Sequence, residues 1–112
     1  MRLLGANKKH TMKTFKDLVF EEQIYFGQGV GAHFEFDNGH VISVQASKFH
    51  YCSPRENLNS PDNYTSFEVG IWNEYGEWKT REFIPGLSKD VAPFMSREQI
   101  EKVKEKIQKL GK

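Results

Sequence analysis

Three features of the chain predict an α+β fold: a four- or five-stranded antiparallel sheet made of two hairpins, with one C-terminal amphipathic helix packed on one face. The first is Ala32-His33-Phe34-Glu35-Phe36-Asp37-Asn38-Gly39-His40-Val41-Ile42-Ser43-Val44. Its two alternating runs are joined by Asp-Asn-Gly, a strong local hairpin signal. The second is the alternation of Phe67, Val69 and Ile71 with Ser66, Glu68, Gly70 and Trp72, the period of a half-buried strand. The third is the run after Ser96, where Ile100, Val103, Ile107 and Leu110 recur at helical spacing.

Taken in order, residues 1–11 read as a flexible N-terminal arm and residues 12–112 as a single α+β domain, near the commonest domain size. From Phe15 to Phe26 the apolar positions fit no single period, so a helical turn and an irregular strand are equally compatible. Gly27-Gln28-Gly29-Val30-Gly31 has the spacing G-x-G-x-G and leads into a strand. A phosphate cradle needs a helix N-terminus there, so these glycines read as a turn or bulge.

The register of the first hairpin can be argued from burial. A two-residue Asn38-Gly39 loop would mix Phe34 and Phe36 with Ser43 and Val41. A three-residue Asp37-Asn38-Gly39 loop instead gathers Ala32, Phe34, Phe36, Ile42, Val44 and Ala46 on one apolar face. His33, Glu35, Val41, Ser43 and Gln45 then line the other. One residue of slip exchanges the faces, so burial selects the second arrangement, with Gly39 in the left-handed bulge position.

Ser53 to Asn63, with Pro54 and Pro61, reads as a long loop. A four-residue turn Asn73-Glu74-Tyr75-Gly76 is expected to join Phe67–Trp72 to a strand over residues 77–83, pairing Ile71 with Trp78. That register puts Trp78 over the core and Trp72 on the outer face beside Lys79 and Arg81. Ser88 to Phe94 is expected to form a helical turn stopped by Pro93. Ser96 and Gln99 make a capping box, Met95 and Ile100 a hydrophobic staple, and Gly111 a C-cap for the final helix.

Composition narrows the function. With 16 basic and 15 acidic residues the formal net charge is +1, which speaks against non-specific nucleic-acid binding. The one basic cluster, Lys8, Lys9, His10, Lys13 and Lys16, reads as a solvated arm. No run approaches the ~18 apolar residues of a membrane span. Cys52 is the only cysteine, which suits a reducing cytoplasm. His33, His40, His50 and Cys52 have no metal-ligand spacing, and no metal or cofactor is expected. In Cys52-Ser53-Pro54-Arg55 the proline removes an amide and no helix follows, so the thiol lacks the phosphate-encircling loop of a cysteine phosphatase. The expectation is a protein that is not an enzyme.

Binding is the chemistry left. Lys48, Phe49, His50, Tyr51 and Arg55 fall at a strand end and the start of the long loop, and Trp72, Lys79 and Arg81 on the second hairpin. Aromatics beside cations suit anionic ring-bearing ligands. They equally suit protein interfaces, where Trp, Tyr and Arg act as anchors.

Phe36-Asp37-Asn38-Gly39-His40 leading to Ser43-Val44, then Tyr51, Glu68-Val69, Trp78 with Thr80, Asp90-Val91 and the Ser96-initiated helix resembles a pattern of small bacteriophage accessory proteins. There the motif reads F-x-N-G-x-x-x-S-V, followed by an E-[VA] strand, a D-V turn and a C-terminal helix. Some phage proteins of this make-up counter bacterial immunity, and the anti-Thoeris type sequesters cyclic ADP-ribose signals in an oligomer. The resemblance implies a homo-oligomeric, cytoplasmic anti-defence protein that sequesters a nucleotide-derived signal. The alternatives are a direct inhibitor of a host or defence protein and a single-stranded nucleic-acid binder. No binding residue is carried over from that type. The residues themselves nominate Lys48, His50, Tyr51, Arg55, Trp72, Lys79 and Arg81.

Overall fold

The hairpin over Asp37-Asn38-Gly39 forms, and the sheet extends from it on both sides. The computed structural model describes Leu18, Phe20, the backbone of Glu21 and Glu22, and residues 29–110. The expected arm, most of the stretch from Phe15 to Phe26, Gly27-Gln28 and the C-cap Gly111 lie outside the described residues.

Five strands lie in sequence order in one antiparallel sheet: β1 (Glu21–Glu22), β2 (Val30–Glu35), β3 (Val41–Ala46), β4 (Phe67–Trp72) and β5 (Val91–Met95). A short helix α1 (Thr80–Phe83) interrupts the connection from β4 to β5, and α2 (Arg97–Lys109) closes the described chain. The α+β class with a C-terminal helix is the one expected.

The first hairpin takes the three-residue loop. Phe34 pairs with Ile42 and Ala32 with Val44, while Phe36 and His40 close the turn through Phe36 N–H to the His40 carbonyl at 2.8 Å. Gly39 sits at φ +92°, and a Cβ there would run into the Glu74 carboxylate. Glycine takes that φ without steric cost.

The inner face is the core. Ala32, Phe36, Ile42, Val44, Ala46, Phe67, Val69, Ile71, Ala92 and Met95 are buried together with Ile100, Val103 and Ile107 of α2. Ile42, Ile71, Ile100 and Ile107 are wholly buried, and each contributes about 2 kcal/mol of apolar transfer. The capping box is formed in both directions: Gln99 N–H donates to Ser96 Oγ at 3.2 Å, and Ser96 N–H to Gln99 Oε1 at 2.9 Å. Lys104 is also buried on this face, and Leu110 is exposed beyond the helix end. The buried face is thus wider at Lys104 than the predicted stripe and stops earlier.

Two expectations are corrected. No strand runs over residues 77–83. Trp78 makes a single bridge to Trp72, and Asn73 pairs with Glu77 through N–H to carbonyl at 3.0 Å. The loop is therefore the three residues Glu74-Tyr75-Gly76, with Gly76 at φ +80°, the same kind of turn as the first hairpin. This one-residue change of register carries Trp78 to the outer face. The ladder then stops because Thr80 Oγ1 accepts from Ile71 N–H at 2.9 Å and bonds the Ile71 carbonyl at 3.3 Å. With that stretch of the β4 edge satisfied by a side chain, the chain turns into α1.

The second correction concerns residues 88–94. Val91–Met95 is the edge strand β5, with a register shift opposite Glu68 that accommodates Pro93. Proline is tolerated at an edge or a bulge because it has no N–H to give. The residue after it, Phe94, is forced to φ 52°.

Candidate functional site

The face of the sheet away from α2 carries the candidate site. Alternation places His33, Ser43, Gln45, Glu68, Gly70, Trp72 and Val91 there, with His33 opposite Ser43, Gly70 opposite both Ser43 and Val91, and Glu68 opposite Gln45. Glu68 and Trp72 stand four residues apart on β4, about 13 Å at about 3.3 Å per residue. Each marks one end of the face, and an aromatic cluster gathers at each.

At the tryptophan end the rings of Trp72 and Trp78 meet edge to face with centroids 5.6 Å apart, and His33 meets Trp72 in the same way at 5.4 Å. Trp78 lies across Gly70, where a Cβ would come within 3.0 Å of its ring. The glycine is what lets the indole lie down on the strand. Trp78 still exposes 49% of its surface.

The cations expected to flank Trp72 are engaged by carboxylates. Lys79 Nζ lies 3.2 Å from Glu82 and 3.9 Å from Glu77, and Arg81 lies 3.4 Å from Asp90. Both cations predicted beside Trp72 therefore have carboxylate partners.

At the tyrosine end the Arg55 guanidinium lies over the Tyr51 ring, 4.9 Å from its centroid. Phe94 tilts against the Tyr51 ring with centroids 6.2 Å apart, and its N–H donates to the Tyr51 carbonyl at 3.0 Å. Tyr51 N–H donates to Glu68 Oε1 at 3.1 Å, which fixes the residue to the sheet. Tyr51 and Phe94 are 41% and 50% exposed. A bulky residue in the left-handed region carries backbone strain of order 1 kcal/mol or more, here spent on holding a phenyl ring in solvent.

The loop that carries Arg55 is pinned from beneath. The wholly buried Tyr64 donates its hydroxyl to the Glu56 carbonyl at 2.6 Å and accepts from Leu58 N–H at 2.8 Å. Arg97 of α2 reaches the carbonyls of Tyr64 and Pro61 at 2.8 and 2.7 Å. Lys48 is exposed, and its backbone N–H binds Asn57 Oδ1 at 2.8 Å, tying the start of the loop to its middle.

His50 turns inward. Ser47 Oγ accepts from Phe49 N–H at 2.9 Å and is hydrogen-bonded to His50 Nδ1 at 2.7 Å. Burial lowers the His50 pKa, opposed by the nearby Glu68 charge, and so favours the neutral imidazole. Cys52 is buried, with Sγ 3.2 Å from the Ser47 carbonyl and 3.4 Å from that of Pro54. Burial pushes its thiol pKa up, away from the thiolate that a nucleophile requires.

The structure thus brings together Tyr51 and Arg55 of the predicted residues, with Lys48 on the same loop. It hydrogen-bonds His50 to Ser47 and pairs Lys79 and Arg81 with carboxylates. Sequence reasoning missed Trp78, Phe94 and Glu68. Gly76, third in a loop that repeats the Asp37-Asn38-Gly39 pattern, was a signal for Trp78. Phe94 has no such signal, because its orientation comes from the bulge. Among the described residues, no group of three His, Cys, Asp or Glu side chains could hold a metal ion, and no helix is long and apolar enough to cross a membrane. No family model matches the chain, and neither a curated protein nor a solved structure matches it.

Proposed function

We propose that this chain acts by binding a partner protein, without catalysis, and that the tyrosine end of the outer face is where the partner docks. The observation that carries the reading is Phe94, held at φ 52° with half its surface in water beside Tyr51 and the Arg55 guanidinium. Backbone strain that exposes an aromatic ring is costly in isolation and is expected where the ring has a task. Aromatic rings with a stacked arginine are the chemistry of interface anchors. The resemblance to phage accessory proteins supplies the setting, interference with a bacterial defence factor or another host protein.

Sequestration of a nucleotide-derived signal is the second reading, favoured by the Arg55–Tyr51 pair, on which a base could stack while the guanidinium meets a phosphate. Two observations weigh against it. Lys79 and Arg81 are occupied by carboxylates, and Glu68 places a negative charge under Tyr51.

Affinity capture from bacterial lysate with the wild-type chain and with Tyr51→Ala separates the readings when paired with a melting series. On the leading reading, specific captured proteins disappear with Tyr51→Ala, and cyclic ADP-ribose and cyclic di- and trinucleotides leave Tm unchanged. A ligand at a hundred times its Kd would stabilise the fold by about 2.7 kcal/mol, so a clear rise in Tm with any of these would transfer the assignment to sequestration. Identical capture by both chains would remove the protein-docking assignment.

A further inference from the structure

The tip of the first hairpin reaches across the molecule to the end of α2. Asn38 Nδ2 donates to the Ile107 carbonyl at 2.8 Å, a bond between residues 69 apart in sequence. The same amide works from its other side, since Asn38 Oδ1 accepts from His40 N–H at 3.1 Å and lies 3.2 Å from His40 Nδ1. Ile107 belongs to the last turn of α2, at the negative end of the helix dipole, and its carbonyl also accepts from the C-cap Leu110 N–H at 3.2 Å. An N–H donor at this point therefore latches the sheet to the helix end.

The residue after the latch is Gly39, at a φ that favours glycine. Asn38 is the only asparagine in the chain that glycine follows. A following side chain normally hinders attack of the next backbone nitrogen on the asparagine side chain, and Gly39 offers no such hindrance.

We propose that Asn38 is a site of spontaneous, one-way modification to aspartate and isoaspartate, and that this conversion releases the end of α2 from the hairpin. In the reaction a base removes the Gly39 amide proton, and the nitrogen attacks Asn38 Cγ. The Cγ–Nδ2 bond breaks and ammonia leaves, giving a five-membered succinimide. Water then adds to one of its two carbonyls, yielding aspartate, or isoaspartate with the chain routed through the side chain. The formal net charge falls by one.

The fold restrains the first step. Gly39 N–H donates to the Phe36 carbonyl at 2.9 Å, and the Asn38 amide is held at both ends, so reaction proceeds from openings of the tip. Once it has occurred, the donor is gone. A carboxylate would face the Ile107 carbonyl at the negative end of the helix, where it is repelled.

The test is to hold the folded full chain at mildly alkaline pH and 37 °C, with a parallel sample in urea. Peptide mapping should show a gain of about 1 Da at the peptide containing Asn38 before any other asparagine, and about tenfold faster in urea. The more acidic species, separated by ion exchange, should show about tenfold faster hydrogen exchange at residues 105–110, with β3 and β4 unchanged. Asn38→Asp should reproduce that exchange pattern, and Asn38→Ala, which removes the donor without adding charge, should show part of it. Conversion elsewhere ahead of Asn38, or equal rates in urea and in the fold, would overturn the proposal. So would an acidic species whose α2 exchange matches the starting protein.

Discussion

The two ends of the outer face use the same residue types to opposite effect. At the tryptophan end the indoles meet edge to face, Trp78 lies over Gly70, and the neighbouring cations are ion-paired with Glu77, Glu82 and Asp90. At the tyrosine end an arginine is stacked on a ring with no carboxylate ion pair among the described residues, and a strained backbone lifts a phenyl ring outward. Composition alone cannot distinguish a cluster that closes a surface from one that presents it. The distinction lies in what each charge is paired with and where each ring finds its contacts.

Each end rests on one buried hydroxyl, and removing that hydroxyl is expected to have the largest effects. Thr80 Oγ1 occupies the backbone polar groups of Ile71 in a wholly buried site. Thr80→Val keeps the shape and leaves the Ile71 N–H unpaired, while the carbonyl keeps its bond from Lys79 N–H at 2.7 Å, so a loss of about 2 kcal/mol in urea unfolding is expected, with Thr80→Ser recovering most of it. Tyr64→Phe removes the two bonds to Glu56 and Leu58 and should cost about 1–2 kcal/mol. The comparison is sharpened by where the damage spreads. Thr80→Val should disturb Trp78 fluorescence and leave the Arg55 loop protected in hydrogen exchange, and Tyr64→Phe should do the reverse. Equal spreading from both would mean that the two ends are one cooperative unit.

The same contrast explains what could be read from the sequence. The first hairpin was legible because Asp37-Asn38-Gly39 is flanked on both sides by clean alternation, so burial and turn chemistry chose one register together. The second used the same turn, but the four residues from Asn73 to Gly76 invited a longer loop, and Trp78 was assigned to the core. The local turn rule outweighed the pull of burial on a large aromatic. Residues 80–83 defeated the strand reading through a tertiary event, the capture of the Ile71 backbone by Thr80, which no local pattern encodes. At the candidate site Tyr51 and Arg55 were visible as a short aromatic-basic run. Phe94 was not, since its position depends on β5 pairing at the edge of β4, far away in sequence.

A smaller effect of opposite sign is expected at the strained residue. Phe94→Gly frees a position at φ 52° from its left-handed penalty and gives up a half-exposed ring contact, so stability should rise by about 1 kcal/mol. The tryptophan end has no counterpart: among the described non-glycine residues, positive φ occurs at Phe94 alone. If Phe94→Gly lowers Tm, its ring contributes more to the fold than the strain removes, and the view of this end as a presented surface fails.

The smallest expected effect tests whether the cations at the tryptophan end are truly quenched. Arg81 and Asp90 are both largely solvated, at 57% and 44% side-chain exposure, so their ion pair is worth about 0.5 kcal/mol or less. Arg81→Ala should therefore shift stability within that limit, and the difference from wild type should shrink further in 0.5 M salt, where screening acts over about 4 Å. Partner capture should be unchanged by Arg81→Ala and lost with Arg55→Ala, because Arg55 is stacked on the exposed Tyr51 ring and Arg81 is paired with Asp90. Loss of capture with Arg81→Ala would show that Asp90 gives up its partner on binding, and would extend the docking surface from the tyrosine end across the whole outer face.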